Sequence, residues 1–164
     1  MKLLIVDDEE LTRVGVISSI NWQSIGIDEV LQADDGMNGL EMARMHKPDI
    51  ILCDVRMPRL DGIQMLEQLE TILPDVVPVF MSGYSDKEYL KAAIKLKAVN
   101  YIEKPLDPLE IQDAVIEARD LCLERKRPRH NESIHSMENA SRLALLLTQP
   151  YAQAKENIDQ LLAE

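Results

Sequence analysis

Short apolar runs alternate with longer segments of mixed polarity along most of the chain. The run Ile50–Cys53 contains no polar residue, which is typical of a strand buried on both faces of a parallel sheet. Strand-like stretches of similar length, with more polar residues at 29–33 and 99–102, occur at 2–6, 29–33, 78–81 and 99–102, and a stretch with helical spacing follows each of the five strands. Five strands alternating with five helices predict an α/β fold with a five-stranded parallel sheet covered on both faces.

Helix-starting residues support this division of the chain. Asp61 and Gln64 have the spacing of a capping box, and Asp107 followed by Pro108 has the composition of a helix N-terminus. The spacing of Leu11, Val14, Ile17 and Ser18 predicts the helical period of the first helix.

The net charge of −11 is distributed unevenly along the chain. Residues 1–120 contain 12 basic and 23 acidic side chains, whereas residues 121–164 contain six of each. An acidic domain repels the phosphate backbone of nucleic acids, so the main domain is not expected to bind DNA or RNA by itself.

The cysteines and the apolar runs indicate the cellular setting. Cys53 and Cys122 lie far apart and fit no metal-binding or redox spacing, and Cys53 falls inside the third predicted strand as a core residue. A reducing, cytoplasmic setting is therefore expected. No apolar run approaches the roughly 18 residues of a membrane helix, and the N-terminus begins with a strand pattern rather than a signal peptide.

Polar side chains follow four of the five predicted strands. Asp7 and Asp8 follow the first strand, Asp54 and Ser82 end the third and fourth, and Lys104 follows the fifth. Each alone is more often a cap, a turn residue or a solvated charge. Because the carboxyl ends of parallel strands meet at one edge of a sheet, we expect these five side chains to lie close together. Three converging carboxylates predict a site for a hard divalent cation such as Mg²⁺.

These residue types suit phosphoryl transfer to a carboxylate. Mg²⁺ held by Asp8 and Asp54, with Asp7 close by, would offset the carboxylate repulsion and bridge to a phosphoryl oxygen. One oxygen of Asp54 would remain free for in-line attack. Lys104 and Ser82 would pair with the equatorial oxygens of the transferred group. An ionised carboxylate needs no general base, which agrees with the scattered positions of the three histidines.

The same residues resemble the receiver domain of two-component response regulators, and the resemblance extends from residue 2 to about residue 120. Its most specific part is the pattern Asp-x-x-Met-Pro-x-x-Asp-Gly, which begins at Asp54. The full set of matching positions is Asp7, Asp8, Asp54, Ser82, Tyr101, Lys104 and Pro105. The pair Asn21-Trp22 and the run 82–86 are also similar to receivers attached to AraC-type DNA-binding domains.

The resemblance implies a role for each matching residue. Asp54 would be the phospho-acceptor, and Lys104 and Ser82 would assist the transfer. Ser82 and Tyr101 would be the switch residues that respond to phosphorylation. The implied Mg²⁺ ligands are Asp7, Asp8, Asp54 and the backbone carbonyl of Arg56.

The resemblance also implies the fold, the partners and the type of activity. The fold would be a flavodoxin-like (βα)5 receiver with strand order 2-1-3-4-5 and a cis bond between Lys104 and Pro105. A sensor histidine kinase would supply the phosphoryl group, and phosphorylation would favour a homodimer or another output, most simply in transcription regulation. The domain would signal rather than act as an enzyme, with at most slow self-phosphorylation and self-dephosphorylation. It would contact DNA only through an output domain absent from this chain. It would not contact a membrane.

Two other classes of protein remain open at this stage. A phosphatase of the haloacid-dehalogenase type also uses an aspartate and Mg²⁺, but it normally has a second aspartate two residues later, where this chain has Arg56. A flavodoxin-like cofactor module would need a loop rich in Ser, Thr and Gly after the first strand. The run Asp7–Glu10 would instead repel a phosphate that lacks a metal.

The last forty residues differ in composition from the rest. We expect a receiver domain at 1–124, a basic linker at 125–131 and a helical tail at 132–164. Two short helices cannot bury their apolar faces alone, so the tail is expected to lead toward a missing output domain and to help pair two chains. The alternative is a stand-alone receiver that signals by protein–protein contact.

Overall fold

All five predicted strands are present in one parallel sheet. The computed structural model describes residues 1–83 and 87–126, apart from the side chains at 87, 88 and 90. The strands are β1 Lys2–Val6, β2 Glu29–Ala33, β3 Ile50–Asp54, β4 Val77–Ser82 and β5 Asn100–Glu103. Their order is β2-β1-β3-β4-β5, and every neighbouring pair is parallel, which confirms the expected flavodoxin-like arrangement.

Helices connect the strands at the positions where the sequence predicted them. They are α1 Glu10–Ser19, α2 Gly36–His46, α3 Gly62–Ile72, α4 Lys87–Lys95 and α5, whose described helical residues are 108–126. The predicted capping box opens α3. Asp61 accepts a hydrogen bond from the Gln64 backbone at 2.7 Å, and the Gln64 side chain accepts one from the Asp61 backbone at 3.4 Å.

The core forms two layers, one on each face of the sheet. Successive side chains of a strand point to opposite faces. In β1, Leu3 and Ile5 join an apolar cluster with residues of α1 and α5, whereas Leu4 and Val6 join a second cluster with residues of α2, α3 and α4. Cys53 is fully buried in the second cluster, as predicted. The sheet is thus covered on both faces, and its carboxyl edge is left accessible between the layers.

The predicted helix α1 is present, but only some of the residues that set its period turn inward. Leu11 and Val14 are 81% and 51% exposed, and the helix instead buries Val16, with Ile20 buried just after it and Ile17 packed against the core. Helical spacing identifies residues that share a face, but contacts with the sheet and with α5 decide which face turns inward. The apolar residues of α1 that lie nearest the start of the helix therefore remain at the surface.

Residues Met1–Glu124 form one compact unit. Residues from 125 onward belong to a second unit, of which the structure describes only residues 125 and 126. The predicted linker and helical tail otherwise lie outside the described residues, and their boundaries stay predictions. Within the described ranges no helix is long and apolar enough to cross a membrane.

Candidate functional site

Strand register brings the predicted site residues to one edge of the sheet. Val6 of β1 pairs with Cys53 of β3, and Asp54 pairs with Met81 of β4, so the residues that follow these pairs project from the same edge. The edge continues into β5, where Ser82 pairs with Glu103. In-register parallel pairing therefore assembles residues that are up to 97 positions apart in the sequence.

Three carboxylates converge at this edge, as predicted. Asp7, Asp8 and Asp54 present oxygen atoms that all lie within 4.8 Å of one another. The side chains of Asp7 and Asp54 are buried, whereas Asp8 is exposed. An all-oxygen donor set with one side open to water fits a hard cation such as Mg²⁺, which keeps several of its water ligands.

Lys104 lies between the two buried carboxylates. Its Nζ atom is 2.7 Å from Asp54 Oδ2 and 3.0 Å from Asp7 Oδ2. The backbone N–H of Lys104 donates to the carbonyl of Ser82 at 2.8 Å, which fixes the lysine to the end of β4. The peptide bond between Lys104 and Pro105 is cis, as the resemblance implied. The ammonium group thus neutralises part of the charge of the cluster.

The surroundings raise the pKa of both Asp7 and Lys104. Burial raises the pKa of the Asp7 carboxyl above its usual value, although the Glu9 N–H at 2.9 Å and the Lys104 ammonium partly oppose this. Burial tends to lower the pKa of Lys104, but its hydrogen bonds to Asp54 and Asp7 outweigh that effect and raise it. Lys104 therefore stays charged at neutral pH, and ionised Asp7 costs folding free energy there.

The loop between β3 and α3 closes tightly around Asp54. The Arg56 N–H donates to Asp54 Oδ1 at 3.2 Å, and the Gly62 N–H donates to the Val55 carbonyl at 3.0 Å. A Cβ atom on Gly62 would lie 2.2 Å from the Asp54 carbonyl oxygen and 2.6 Å from Cys53 Sγ, so only glycine fits this approach. The Arg56 backbone belongs to this loop, and its carbonyl stays a predicted ligand.

Ser82 and Tyr101 occupy neighbouring strands near the cluster. Ser82 is buried at the end of β4. Tyr101 lies on β5 opposite Phe80, is half-buried, and packs against the apolar layer that includes α4 residues. Residues 84–86, which link β4 to α4, lie outside the described part of the chain. Ser82 therefore lies at the edge that carries the cluster, and Tyr101 lies two residues before that edge on the neighbouring strand.

Two residues close to the site were missed by the sequence analysis. Asp35 is buried, caps the start of α2 and forms an ion pair with Arg59 of the β3–α3 loop. Tyr89 of α4 lies beneath Arg56, with the guanidinium carbon 5.3 Å from the ring centre. The position of Asp35 just after β2 repeats the signal that identified Asp7 and Asp54, so this signal could have found it. Tyr89 carries no sequence signal of its own.

The fold and the site together define a class of α/β proteins that gather carboxylates at the carboxyl edge of a doubly wound parallel sheet. The family profile described as "Response regulator receiver domain" matches residues 3–116. The chain therefore belongs to the response regulator receiver domain family. Within that family it is the receiver domain of a two-component response regulator, and such domains are generally signalling proteins.

Individual relatives agree with this assignment. The transcriptional regulatory protein HptR of Staphylococcus aureus is 32% identical over 111 residues, which are 68% of this chain and 43% of that protein. An uncharacterised response regulatory protein of Staphylococcus epidermidis is 29% identical over 134 residues, which are 82% of this chain and 53% of that protein. The chain thus spans about half the length of these relatives.

A solved structure supports the subgroup that the sequence suggested. The crystal structure described as a two-component transcriptional regulator AraC from Clostridium phytofermentans is 50% identical and superposes with a TM-score of 0.73. The match covers 77% of this chain and 98% of that one. This agrees with the similarity to AraC-type receivers noted in the runs at 21–22 and 82–86.

Replacing Asp7 with Asn should stabilise the metal-free protein at neutral pH. Because the pKa of Asp7 is raised by folding, the ionised carboxyl lowers the free energy of unfolding at neutral pH. Protonation of Asp7 in the folded protein removes this loss as the pH falls toward the usual pKa of 3.8. In EDTA, urea unfolding should show wild-type stability rising as the pH falls from neutral toward 3.8, with Asp7→Asn more stable at pH 7 and less dependent on pH.

Asp8→Asn is the matched control, because it removes the same charge from an exposed neighbour. It should give a smaller gain in unfolding free energy at pH 7. Equal gains from both variants, or a loss of stability in Asp7→Asn, would contradict the assigned cost of burying Asp7.

Proposed function

We propose that Asp54 accepts a phosphoryl group from a phosphohistidine of a sensor histidine kinase, and that this switches the domain. The observation that carries the proposal is the position of the Asp54 carboxylate. It lies at the carboxyl edge of the sheet, 2.7 Å from the Lys104 ammonium and within 4.8 Å of oxygens from Asp7 and Asp8. Such an arrangement combines a nucleophile, a cation and a cation-binding cluster in one place.

The transfer is a displacement at phosphorus. An oxygen of Asp54 forms the new P–O bond while the P–N bond to the kinase histidine breaks, and the electron pair of that bond returns to the imidazole nitrogen. Lys104 pairs with a phosphoryl oxygen, and the hydroxyl of Ser82 donates to another. Because Asp54 is already an anion, the attack needs no general base.

The acidic cluster would hold Mg²⁺ through Asp7, Asp8, Asp54 and the backbone carbonyl of Arg56. When bound, the ion supplies positive charge that offsets the repulsion between the carboxylates and the incoming phosphoryl oxygens. Lys104 contributes part of this neutralisation permanently. One ammonium group against three carboxylates leaves a negative excess, which supports a requirement for a divalent cation.

The domain acts as a phospho-acceptor with at most slow self-phosphorylation and self-dephosphorylation. A turnover phosphatase of the haloacid-dehalogenase type would need a carboxylate two residues after the nucleophile to serve as acid and base. Arg56 occupies that position and stacks on Tyr89 instead. The absence of a carboxylate at position 56 supports a covalent intermediate that persists rather than one that is rapidly hydrolysed.

Phosphorylation is read out through Ser82 and Tyr101. When the phosphoryl group draws the Ser82 hydroxyl toward it, the space near the end of β4 changes, and Tyr101 on the neighbouring strand turns inward. The half-buried position of Tyr101 against the apolar layer with α4 supports this movement. The change shifts the population between two arrangements of the α4–β5 surface, and a few kcal/mol of differential contact is enough.

The output is regulation of transcription in the cytoplasm. The relatives named as transcriptional regulators are about twice as long as the matched region, which supports a longer regulator with a separate DNA-binding domain. In that arrangement the tail at 132–164 links the domains and helps form a phosphorylation-dependent homodimer, and DNA is contacted only through the output domain. A stand-alone receiver that signals by protein contact is the alternative, and sequencing the gene beyond codon 164 separates the two.

Asp54→Asn should abolish phosphorylation. Treatment with acetyl phosphate and Mg²⁺ should add the mass of one phosphoryl group to the unaltered protein, and the amide of the variant lacks the anionic oxygen that attacks phosphorus. Intact-mass spectrometry measures the labelled fraction directly, and a chelator should prevent labelling of the unaltered protein.

Asp61→Asn is the matched control, because it removes a carboxyl from the same loop while asparagine still caps α3. It should be labelled to the same extent as the unaltered protein. Labelling of Asp54→Asn to that extent would contradict the proposed acceptor.

Ser82→Ala should separate phosphorylation from its consequence. The variant keeps Asp54 and Lys104 and should still accept a phosphoryl group, more slowly because one donor to the phosphoryl oxygens is lost. At an equal labelled fraction, light scattering should show a dimer for the unaltered protein and a monomer for the variant.

Ser82→Thr keeps the hydroxyl and should retain the labelling-dependent dimer. If Ser82→Ala dimerises as fully as the unaltered protein at the same labelled fraction, Ser82 does not couple the acceptor to the surface.

A further inference from the structure

The loop that follows Asp54 contains a strained turn. Arg59 has a φ of 69°, a left-handed backbone conformation that side-chain-bearing residues rarely adopt. The Leu60 N–H donates to the Pro58 carbonyl at 2.8 Å, so Arg59 is the central residue of a three-residue γ-turn. A turn of this hand persists only where its surroundings hold it in place.

The side chain of Arg59 is fastened to a buried anchor. Arg59 is an exposed residue of the loop, but its guanidinium forms an ion pair with Oδ2 of Asp35, a residue that is only 1% exposed. The other oxygen of Asp35 accepts a hydrogen bond from the Asn38 N–H at 2.8 Å, which caps α2. A carboxylate buried in this way needs a cationic partner, so the ion pair ties the loop to the start of α2.

The backbone makes a second connection at the same place. A Cβ atom on Gly36, the first residue of α2, would lie 2.2 Å from the carbonyl oxygen of Leu60. The start of α2 and the strained turn are therefore in direct backbone contact. The ion pair and this contact hold two consecutive residues of the loop, Arg59 and Leu60.

The other end of the loop is already fixed at the acceptor. The Arg56 N–H donates to Asp54 Oδ1, and the Gly62 N–H donates to the Val55 carbonyl. The segment that carries the Arg56 carbonyl is thus held by β3 on one side and by α2 on the other. Groups that orient a metal ligand without touching the metal commonly influence the affinity of the site for that metal.

We infer that Asp35 and Arg59 are positioning residues for the acceptor loop, and that their ion pair sets the affinity of the acidic cluster for a divalent cation. The inference rests on the proposed function, because it assigns these residues to the cation site beside Asp54. Two effects of removing the Arg59 charge have opposite signs. The lost positive charge alone should raise the affinity of the acidic cluster for a cation, whereas loss of the loop anchor should lower that affinity. The inference predicts that the affinity falls.

The affinity of the full chain for Mn²⁺ tests this prediction. The electron paramagnetic resonance signal of the free ion measures how much Mn²⁺ remains unbound. Arg59→Gln should bind Mn²⁺ about tenfold more weakly than the unaltered protein, and Arg59→Lys, which keeps the charge, should restore most of the affinity. Asp35→Asn retains a helix cap and should weaken binding similarly. The double variant Asp35→Asn/Arg59→Gln should show no further loss, because both substitutions break one interaction.

Arg44→Gln is the matched control, because it removes one positive charge from the exposed far end of α2. It should leave Mn²⁺ affinity unchanged or slightly increased. In the metal-free protein, amide hydrogen exchange at Leu60 and Gly62 should accelerate in Arg59→Gln but not in Arg44→Gln.

Unchanged or tighter Mn²⁺ binding by Arg59→Gln, or losses that add in the double variant, would overturn the inference alone. If the unaltered protein binds no Mn²⁺, the proposed cation site fails, and the inference that depends on it fails as well. Unchanged amide exchange at Leu60 in Arg59→Gln would show that the ion pair does not hold the turn and would overturn the inference even if affinity falls.

Discussion

The contact of the Lys104 ammonium with Asp7 and Asp54 is the interaction on which the site depends. Parallel pairing forces the ends of β1 and β3 together, so carboxylates placed there must repel one another unless a cation lies between them. Lys104 reaches both from the end of β5, at 3.0 and 2.7 Å. One ammonium group cannot neutralise three carboxylates, and the remaining negative charge suits the site to a divalent cation.

Burial of carboxylates at this site lowers the free energy of unfolding. A buried carboxyl such as Asp7 opposes folding when it is ionised, and a hydrophobic residue in its place would pack without that cost. Close contacts hold the segment around Asp54 in place. Gly62 lets the start of α3 approach the Asp54 carbonyl, and Asp61 caps the same helix. The Asp54 carboxylate is therefore presented by a sheet edge and a loop that are held from several sides, as is common at functional sites.

Much of this architecture could be predicted from the sequence because its signals are local. The central strands are apolar runs, the capping box of α3 lies within four residues, and strand ends in a parallel sheet must meet. The inward face of α1 could not be predicted, since the exposure of Leu11 and Val14 depends on contacts with the sheet and α5. The pairing of Asp35 with Arg59 joins residues from separate helix and loop segments, and no local pattern marks such a contact.

Chemical trapping of the phosphorylated residue is the most direct test of Asp54 as the phospho-acceptor. Borohydride converts an aspartyl phosphate into homoserine, so reduction of the labelled protein followed by peptide sequencing identifies the acceptor without any substitution. Homoserine is expected at position 54, with unmodified aspartate at positions 7, 8 and 61. Homoserine at position 7 or 8, or its absence from position 54 in labelled protein, would show that Asp54 is not the acceptor.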